Sequence, residues 1–369
     1  MPTTRRRPTG GRPALRVVVA PLEFKGTLTA LQAVEAICNG LAESIPESEL
    51  VRQPMADGGP GTLDVVSAAA SLAMRRAQVH DALGRGIAAR WGDLGDGAAI
   101  IESAQACGLS LLAPHEYDPL RADTRGVGEI ILEALDAGAR RLFVGLGGSA
   151  TNDGGRGLLE ALGVRITGQG SELSFDLAAI DTRLEHAEIV GLSDVRNSLL
   201  GEDGATYVFA PQKGAGDEQL ASLEERMAAF ADAAEIAFGR AVRSVDGAGA
   251  AGGLGFALLL LGGRLLPGAE VLGRLSGIDK ALESADALVT GEGTYDEQSM
   301  SGKGVGFLVE LSRRAHVPAF GFFGRVRRAA LEFEDVLSLE DLAGSLAAAL
   351  AQPHVHLREA ARQLGQRIG

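Results

Sequence analysis

Glycine-rich loops carry the acidic and amide side chains that could do chemistry in this 369-residue sequence. Glycine has no Cβ, so its backbone N–H groups can approach phosphate oxygens and positive φ becomes accessible. Carboxylates in such loops would repel a bare triphosphate, but Mg²⁺ binds carboxylate and phosphate oxygens together. One glycine–aspartate run is commonly a surface turn, whereas four such loops favour a Mg²⁺-dependent phosphate site. Their polar members are Asp57, Asn152, Asp153, Asp194, Asn197, Glu292 and Asp296.

Lysine usage gives an independent indication of anion binding. The chain has 35 basic residues, yet only four of them are lysines. Three lie in glycine-rich loops: Lys25 in FKGT, Lys213 in PQKGAG and Lys303 in SGKG. An ammonium is a compact charge that reaches phosphate oxygens without the planar geometry of a guanidinium. Lys280, in the helical stretch GIDKALES, is interpreted as a surface residue.

Strand, glycine loop and helix recur along the chain, and this unit favours an α/β fold with ligand loops at strand ends. Continuous apolar runs predict buried parallel strands, and apolar residues at helical spacing predict helices, the first of them with Thr29 as N-cap. Strands are predicted at residues 16–20, 98–102, 141–146 and 287–290. Helices are predicted at about 30–44, 63–74, 126–137, from 158, 217–238 and after the glycines of 246–255.

Composition excludes several classes of protein. The formal charge is −13 and no basic stripe is present beyond Arg5–Arg7, which argues against nucleic-acid binding. Cys38 and Cys107 are far apart and predict free thiols in a reducing compartment. The longest apolar runs are too short to span a bilayer, and residues 1–15 resemble a disordered tail without a secretion signal. We expect a soluble, cytoplasmic protein without a membrane partner.

Two segments leave a different enzyme class open. Residues 247–252 (GAGAAG) fit the GxGxxG dinucleotide pattern, and residues 145–150 (GLGGSA) fit its GxGxxA variant. The first follows no convincing strand, and the second places Asp153 where a pyrophosphate would lie. A Walker A loop is absent around Lys303, where Glu297 replaces its first glycine. An NAD-dependent oxidoreductase is therefore an alternative to a kinase that lacks a P-loop.

The loops together resemble one family. PLEFKGTLTA, PMADGGPGT, GLGGSATNDGGRGLLEALGV, FAPQKGA, DGAGAAGGLG and TGEGTYDEQSMSGKG are similar, in the same order, to the motif series of bacterial glycerate kinases. The resemblance runs from about residue 16 to 326. It implies phosphorylation of D-glycerate, a small-molecule substrate, with ATP and Mg²⁺ as cofactors. In most members of this type the product is 2-phosphoglycerate, with 3-phosphoglycerate the less expected product, and the chain would act as a monomer or homodimer.

The resemblance also implies an architecture of two α/β domains with the active site in the cleft between them. One domain is discontinuous, made from both chain ends around a parallel sheet, and we place it at residues 16–78 plus 285–369. The other is inserted and spans residues 79–284.

Individual roles follow from the positions that match the family's motifs. We expect Lys25, Asp194 and Lys303 to be catalytic, and Asp194 and Glu292 to hold Mg²⁺. Asn197, Glu292 and Asp296 are expected to bind the substrate. The expected nucleotide-binding residues are Asp57, Gly58, Gly59, Gly147, Gly148, Ser149, Asn152, Asp153, Lys213, Gly249 and Gly252.

Departures from the family pattern leave a further alternative. The usual Pro-Asp-Ser-Phe-Lys opening has Leu22 in place of the aspartate, although Glu23 follows directly. The usual Asp-Gly-Gly-Glu-Gly has Pro60 in place of the glutamate, and Ser193 and Ser198 replace a cysteine and a proline around Asp194. A degenerate kinase that senses ligands without turnover would also fit these changes.

Overall fold

The computed structural model describes residues 14–69, 72–297, 299–300 and 304–369. Most of the predicted tail, residues 1–13, lies outside this range. In the described residues the strands are β1 Arg16–Val19, β2 Glu49–Arg52, β3 Ala73–His80, β4 Gly86–Gly95, β5 Ala98–Glu102, β6 Arg141–Gly145, β7 Arg165–Thr167, β8 Ser174–Asp176, β9 Glu188–Leu192, β10 Arg264–Leu266, β11 Ala287–Tyr295, β12 Ala319–Val326 and β13 Asp335–Ser338.

Helices alternate with these strands along most of the chain, joined by short 3₁₀ turns. They are α1 Ala30–Ser44, α2 Thr62–Ala69, α3 Ala104–Cys107, α4 Arg125–Asp136, α5 Arg156–Ala161, α6 Ala205–Phe209, α7 Asp217–Phe238, α8 Ala250–Leu260, α9 Gly268–Leu275, α10 Ile278–Glu283, α11 Gly304–Arg314, α12 Leu339–Ala343, α13 Leu346–Ala351 and α14 Pro353–Ile368. Over the part of the chain that the structure describes, none of these helices is long and apolar enough to cross a membrane.

The chain divides into two compact units. The smaller unit takes residues up to 53 together with 279–296 and 308–369, and the larger takes 54–278 and 297–307. The predicted domain boundary at residue 78 lies inside β3, and that at 284 lies just past α10. The segment from 54 to 78 falls in the larger unit because β3 pairs with β4, and because Leu63 and Val66 of α2 pack on Ile100 of β5.

The smaller unit is built on a parallel sheet with the order β13-β12-β11-β1-β2. Its interior strand β1, between β11 and β2, is fully buried from Val17 to Val19, as its continuous apolar run predicted. Helices α1 and α14 cover one face and approach closely at Gly40. A Cβ on that glycine would lie 2.1 Å from the carbonyl oxygen of Arg358. This unit provides the turn after β1 that holds Lys25, and strand β11, on which Glu292 lies.

The larger unit is built on a mixed sheet with the order β10-β9-β6-β5-β4-β3. Strands β10, β9, β6 and β5 are parallel, whereas β4 is antiparallel to both β5 and β3. Its core is formed by α4, α5, α7 and α8 against this sheet, and Leu142, Val144 and Leu258 there are fully buried. The carboxyl ends of β6 and β9 lead into the loops that hold Asn152 and Asp194.

Local sequence predicted some elements and missed others. Predicted bounds match at α1, α7 and β5, and Thr29 caps α1 with a capping box to Gln32. The helix predicted at 63–74 is wrong at its end, because β3 already begins at Ala73. The β3–β4 hairpin was not predicted. Strand β11 runs on to Tyr295, so Glu292 lies on a strand instead of in a loop.

The α1 cap generates a stability prediction. The Thr29 hydroxyl accepts a hydrogen bond from the Gln32 backbone N–H at 3.2 Å, and the Gln32 side chain accepts from the Thr29 N–H at 3.0 Å. Thr29→Ala removes one half of this box and should lower the free energy of unfolding by about 1 kcal/mol. Urea unfolding of Thr29→Ala and Thr29→Ser measures it. Equal losses in both variants would contradict a capping role, since serine retains the acceptor.

Candidate functional site

The loop at residues 147–155, which follows β6, is held on both sides by backbone hydrogen bonds. The Ala150 N–H donates to the Cys107 carbonyl at 2.7 Å, and the Leu109 N–H donates to the Gly148 carbonyl at 2.9 Å. At its far end the Gly154 N–H donates to the Gly252 carbonyl at 3.0 Å. Gly148 and Gly154 have φ of 74° and 70°, which few other residues adopt without strain. The glycines therefore shape a fixed loop.

Several backbone N–H groups of this loop are left without a partner. Among the described residues, no hydrogen bond is made by the N–H groups of Gly148, Ser149, Thr151, Asn152 or Asp153. Ser149, Thr151 and Asn152 are all at least nine-tenths buried. Buried N–H groups without a partner are uncommon and costly. Successive unpaired donors in a glycine-rich turn form a concavity that suits an anion.

Lys213 lies directly behind this loop, at the end of a 3₁₀ turn that Gly214 closes with φ of 100°. Its side chain is 2% exposed, and its Nζ donates to Ser149 Oγ at 3.1 Å and to the Thr151 carbonyl at 2.7 Å. Burial disfavours the ammonium and lowers the pKa of Lys213 to about 8. The lysine predicted to bind nucleotide thus contacts the 147–155 loop from inside the protein.

Asn152 is held from a second direction. Its Nδ2 donates to Thr206 Oγ1 of α6 at 3.3 Å, and both residues are buried. Its Oδ1 is buried and has no hydrogen-bond partner among the described residues. Exchanging the two amide atoms would leave Nδ2 in the same position, so one polar atom of Asn152 is unsatisfied in either assignment. Such an atom favours a ligand contact next to the unpaired N–H groups.

Asp153 has a different environment from the one expected. Its Oδ2 accepts hydrogen bonds from Thr124 Oγ1 at 2.8 Å and from the N–H groups of Thr124 and Gly157 at 3.0 Å. Its Oδ1 accepts from the Gly155 N–H at 3.0 Å. Burial raises the pKa of this carboxyl, while the hydrogen bonds oppose that shift. Asp153 therefore ties the loop to the start of α5, and its oxygens are already occupied.

The second glycine loop, residues 247–253, packs backbone to backbone against the first. Ala251, Gly252 and Gly253 all have positive φ, so regular helix in α8 begins only after them. A Cβ on Gly252 would lie 1.9 Å from the Thr151 carbonyl oxygen, and one on Gly249 would lie 2.3 Å from the Ser198 carbonyl oxygen. The glycines of GAGAAG are explained by this packing. No strand directly precedes residues 247–252 in the described residues, so this segment lacks the strand that the dinucleotide fingerprint requires.

Asp57, Gly58 and Gly59 form a turn beside the carboxyl ends of β6 and β9. Asp57 Oδ1 accepts from the Gly59 N–H at 2.9 Å. Gly58, at φ 94°, passes so close to β9 that a Cβ would lie 2.7 Å from the Leu192 carbonyl oxygen. Its own carbonyl accepts from the Gly147 N–H at 3.1 Å. The structure therefore brings the predicted members 57–59 and 147–148 together.

Asp194 and Asn197 lie in the loop that follows β9. Asp194 Oδ1 accepts from the Gly268 N–H at the start of α9, at 2.8 Å, which fixes the carboxylate. Asn197 Nδ2 donates to the Asp203 carbonyl at 2.7 Å, and its own carbonyl accepts from the Gly249 N–H at 3.0 Å. Asn197 thus supports the 247–253 loop, and its role as a substrate ligand stays a prediction.

In the smaller unit, the turn that holds Lys25 lies beside β11, the strand on which Glu292 lies. Lys25 is exposed in a tight turn closed by the Phe24 and Leu28 backbones, with Gly26 at φ 75°. A Cβ on Gly293 would lie 3.4 Å from the Lys25 backbone nitrogen, so the turn lies against β11 beside Glu292. Asp296 follows directly after β11. Lys25 and Glu292 are therefore brought together at the carboxyl edge of the parallel sheet.

Lys303 and the predicted Mg²⁺ ligands remain to be placed. Lys303 lies outside the described residues. Within the described ranges, no three His, Cys, Asp or Glu side chains are grouped so that they could hold a metal ion. Mg²⁺ in nucleotide sites usually needs only one or two protein carboxylates beside phosphate oxygens and water. Asp194, whose carboxylate is oriented by Gly268, fits that requirement.

Sequence reasoning missed several supporting residues. Thr124 donates a hydrogen bond to the Asp153 side chain, and Thr206 accepts one from the Asn152 side chain. The Thr151 carbonyl accepts one from Lys213. Glu102 is buried, and its carboxylate accepts from the N–H groups of Gly61 and Leu63 at 3.3 and 3.2 Å. It thereby orders the 57–61 turn, and burial raises its pKa. The sequence signal that could have identified Glu102 was its position, a carboxylate at the end of an apolar strand.

Comparisons with known proteins cover most of the chain. The sequence model of the glycerate kinase family matches residues 17–369. The glycerate 2-kinase of Escherichia coli (strain K12) is 38% identical over 324 residues, which are 84% of this chain and 85% of that protein. A glycerate kinase of Bacillus subtilis (strain 168) is 40% identical over 328 residues, 85% of this chain and 86% of that one. A crystal structure from Salmonella typhimurium LT2, assigned to glycerate kinase 2, has a TM-score of 0.80 at 34% identity and covers 96% of this chain and 98% of its own. These findings confirm the family resemblance and the α/β fold class.

The contact between the two glycine loops generates a second prediction. Gly252→Ala places a methyl group against the Thr151 carbonyl and should lower the free energy of unfolding by about 2–4 kcal/mol. Gly239→Ala is the matched control, because it has a similar φ of 62° but nothing within 4 Å. It should cost about 1–2 kcal/mol. Urea unfolding compares the two, and equal costs would show that Gly252 is needed only for its φ.

Proposed function

The chain belongs to the glycerate kinase family, and from that premise we propose that it transfers the terminal phosphoryl group of ATP to D-glycerate. Support comes chiefly from one observation, the unpaired N–H groups in the 147–155 loop backed by the buried ammonium of Lys213. These N–H groups are those of Gly148, Ser149, Thr151, Asn152 and Asp153. Preorganised donors of this kind stabilise charge on a transferring phosphoryl group. Residue Asn152 adds an unsatisfied amide atom at the same place.

In this proposal the 147–155 loop binds phosphate oxygens of the nucleotide. The loop is fixed by its neighbours, so little reorganisation accompanies binding, and position is what phosphoryl transfer chiefly requires. Asp153 orients the loop through Thr124 and Gly157 without contacting the nucleotide. The 57–61 turn, whose Pro60 lies against Gly148, forms the adjoining edge. Gly249 and Gly252 act by packing.

The acceptor side of the reaction is assigned to carboxylates and lysines. Asp194 orients the glycerate hydroxyl and accepts its proton as the oxygen bonds to phosphorus and the bond to the ADP oxygen breaks. Lys25, exposed in its turn, places a cationic point charge on phosphate or on the glycerate carboxylate. Asn197, Glu292, Asp296 and Lys303 are proposed as further substrate or phosphate contacts.

Mg²⁺ is proposed as the nucleotide's counter-ion, held by Asp194 with Glu292 as a second candidate. When bound, the ion would neutralise phosphate charge and hold the phosphate oxygens in place. An acidic protein of charge −13 binds an anionic nucleotide only with such local compensation. The buried Lys213 and the loop N–H groups supply the rest of it.

The proposed product is 2-phosphoglycerate, because the Escherichia coli relative is named a glycerate 2-kinase. A coupled ADP-release assay with Mg·ATP and D-glycerate, with products resolved by ³¹P NMR, should show this single phosphate ester. A 3-phosphoglycerate signal would correct the regiochemistry. ATP and glycerate binding without ADP release, in folded protein, would contradict catalysis and favour a ligand-sensing role tied to Leu22 and Pro60.

Lys25 provides the cleanest mutational test, because it is exposed and its loss should leave the fold unchanged. Lys25→Ala should lower kcat/KM on the order of 10²–10³-fold, since a charge at the transferring group acts in the transition state. Lys280→Ala, which removes an exposed lysine from α10, is the control and should retain full activity. Steady-state kinetics of both variants measure the difference. Near-normal kinetics of Lys25→Ala would remove Lys25 from the mechanism.

A further inference from the structure

The ammonium of Lys213 is buried without a carboxylate at ion-pair distance in the described part of the chain. Its two hydrogen-bond acceptors, Ser149 Oγ and the Thr151 carbonyl, are neutral. An ammonium has three N–H donors, and only two are used by these acceptors. A buried cation without a counter-ion is costly, so its retention indicates that an anion completes the site.

The titratable groups around Lys213 do not supply that anion. Cys107, from α3, is buried, and burial raises its pKa to about 12, so the thiol is neutral. Asp153 is the carboxylate whose charge acts on Lys213, but its oxygens accept from Thr124, Gly155 and Gly157. The charge of Asp123 raises the pKa of Cys107, Asp123 and Asp153 repel each other, and Asp123 accepts a hydrogen bond from the Arg125 N–H. In the described residues, neither carboxylate hydrogen-bonds to Lys213, and the charge of Asp153 stabilises the ammonium only from a distance.

We propose that Lys213 is a positioning residue that couples binding of a phosphate-bearing anion at the 147–155 loop to the uptake of a proton. The inference rests on the proposed function, because it takes the nucleotide phosphates to be that anion. The protonated side chain holds both Ser149 and Thr151 and adds its charge behind the unpaired N–H groups. The neutral amine loses the charge and one donor.

The direction of the coupling follows from linkage. Burial lowers the pKa of Lys213 to about 8, so at pH 8 about half of the free protein carries a neutral amine. A bound anion stabilises the ammonium and raises this pKa again. Binding at pH 8 should therefore take up about half a proton per nucleotide. Above pH 8 the affinity for the nucleotide should fall by up to about tenfold for each pH unit. Below pH 7 the affinity should be constant.

Isothermal titration calorimetry of the full chain with Mg·ATP, without glycerate, tests the proposal. Titrations at pH 8 in Tris and in HEPES, whose ionisation enthalpies differ, report the protons taken up. The wild-type protein should show a buffer-dependent enthalpy at pH 8 and a much smaller dependence at pH 6.5. Equal enthalpies in both buffers at pH 8 would overturn the inference while leaving nucleotide binding intact.

Two variants assign the proton to its residue. Lys213→Met keeps the length and apolar stem but cannot titrate, so it should bind Mg·ATP at least tenfold more weakly at pH 7 and without proton uptake. Lys213→Arg keeps a permanent charge, so any binding of Mg·ATP should occur without proton uptake. Its affinity should not change from pH 7 to 9. Lys280→Met is the control for lysine loss at the surface and should retain wild-type uptake.

The outcomes separate the inference from the proposed function. Proton uptake that persists in Lys213→Met would show that another group titrates and would overturn the assignment. Wild-type protein that binds no Mg·ATP at any pH would overturn the proposed function and the inference with it. If the Lys213 variants fail to fold by circular dichroism, the wild-type comparison of buffers and pH values still decides whether uptake occurs.

Discussion

The close packing of two glycine loops is the constraint on which the larger unit's site depends. Gly252 passes the Thr151 carbonyl at a distance that no side chain would permit, and the Gly154 N–H donates to the Gly252 carbonyl. This contact fixes the far end of the 147–155 loop, while Cys107 and Leu109 fix its near end. Between these anchors, the N–H groups of Ser149, Thr151, Asn152 and Asp153 make no hydrogen bond within the described residues.

The polar groups beneath the loop show how that arrangement is maintained. Asp153 accepts hydrogen bonds from Thr124 and from the first turn of α5, and Lys213 donates to Ser149 and Thr151. One buried carboxylate and one buried ammonium thus hold the same short segment without pairing directly. The cost of burying them is consistent with a functional loop, since structural loops rarely carry unpaired charge.

Much of the fold could be predicted from sequence, because the signals were local. The capped helix α1 and the apolar strands β1, β5 and β6 each follow from their own residues. The β3–β4 hairpin could not be found in this way, since its exposed strand β3 alternates weakly and pairs only in tertiary context. Likewise, glycine and aspartate types indicated a phosphate loop, but the direction in which Asp153 faces depends on Thr124, about thirty residues earlier.

Which of the predicted residues lie near one another was therefore easier to predict than what each of them contacts. The larger unit brings together residues 57–59, 147–153, 194 and 213. Four residues, however, support the loops through contacts that sequence alone does not show: Gly249, Gly252, Asn197 and Asp153.

The most direct test of the account is a crystal structure with Mg²⁺, a non-hydrolysable ATP analogue and D-glycerate. We expect the nucleotide's phosphate oxygens to accept from the N–H groups of Ser149, Thr151 and Asn152. Phosphates bound away from the 147–155 loop, with those N–H groups still unpaired, would contradict it.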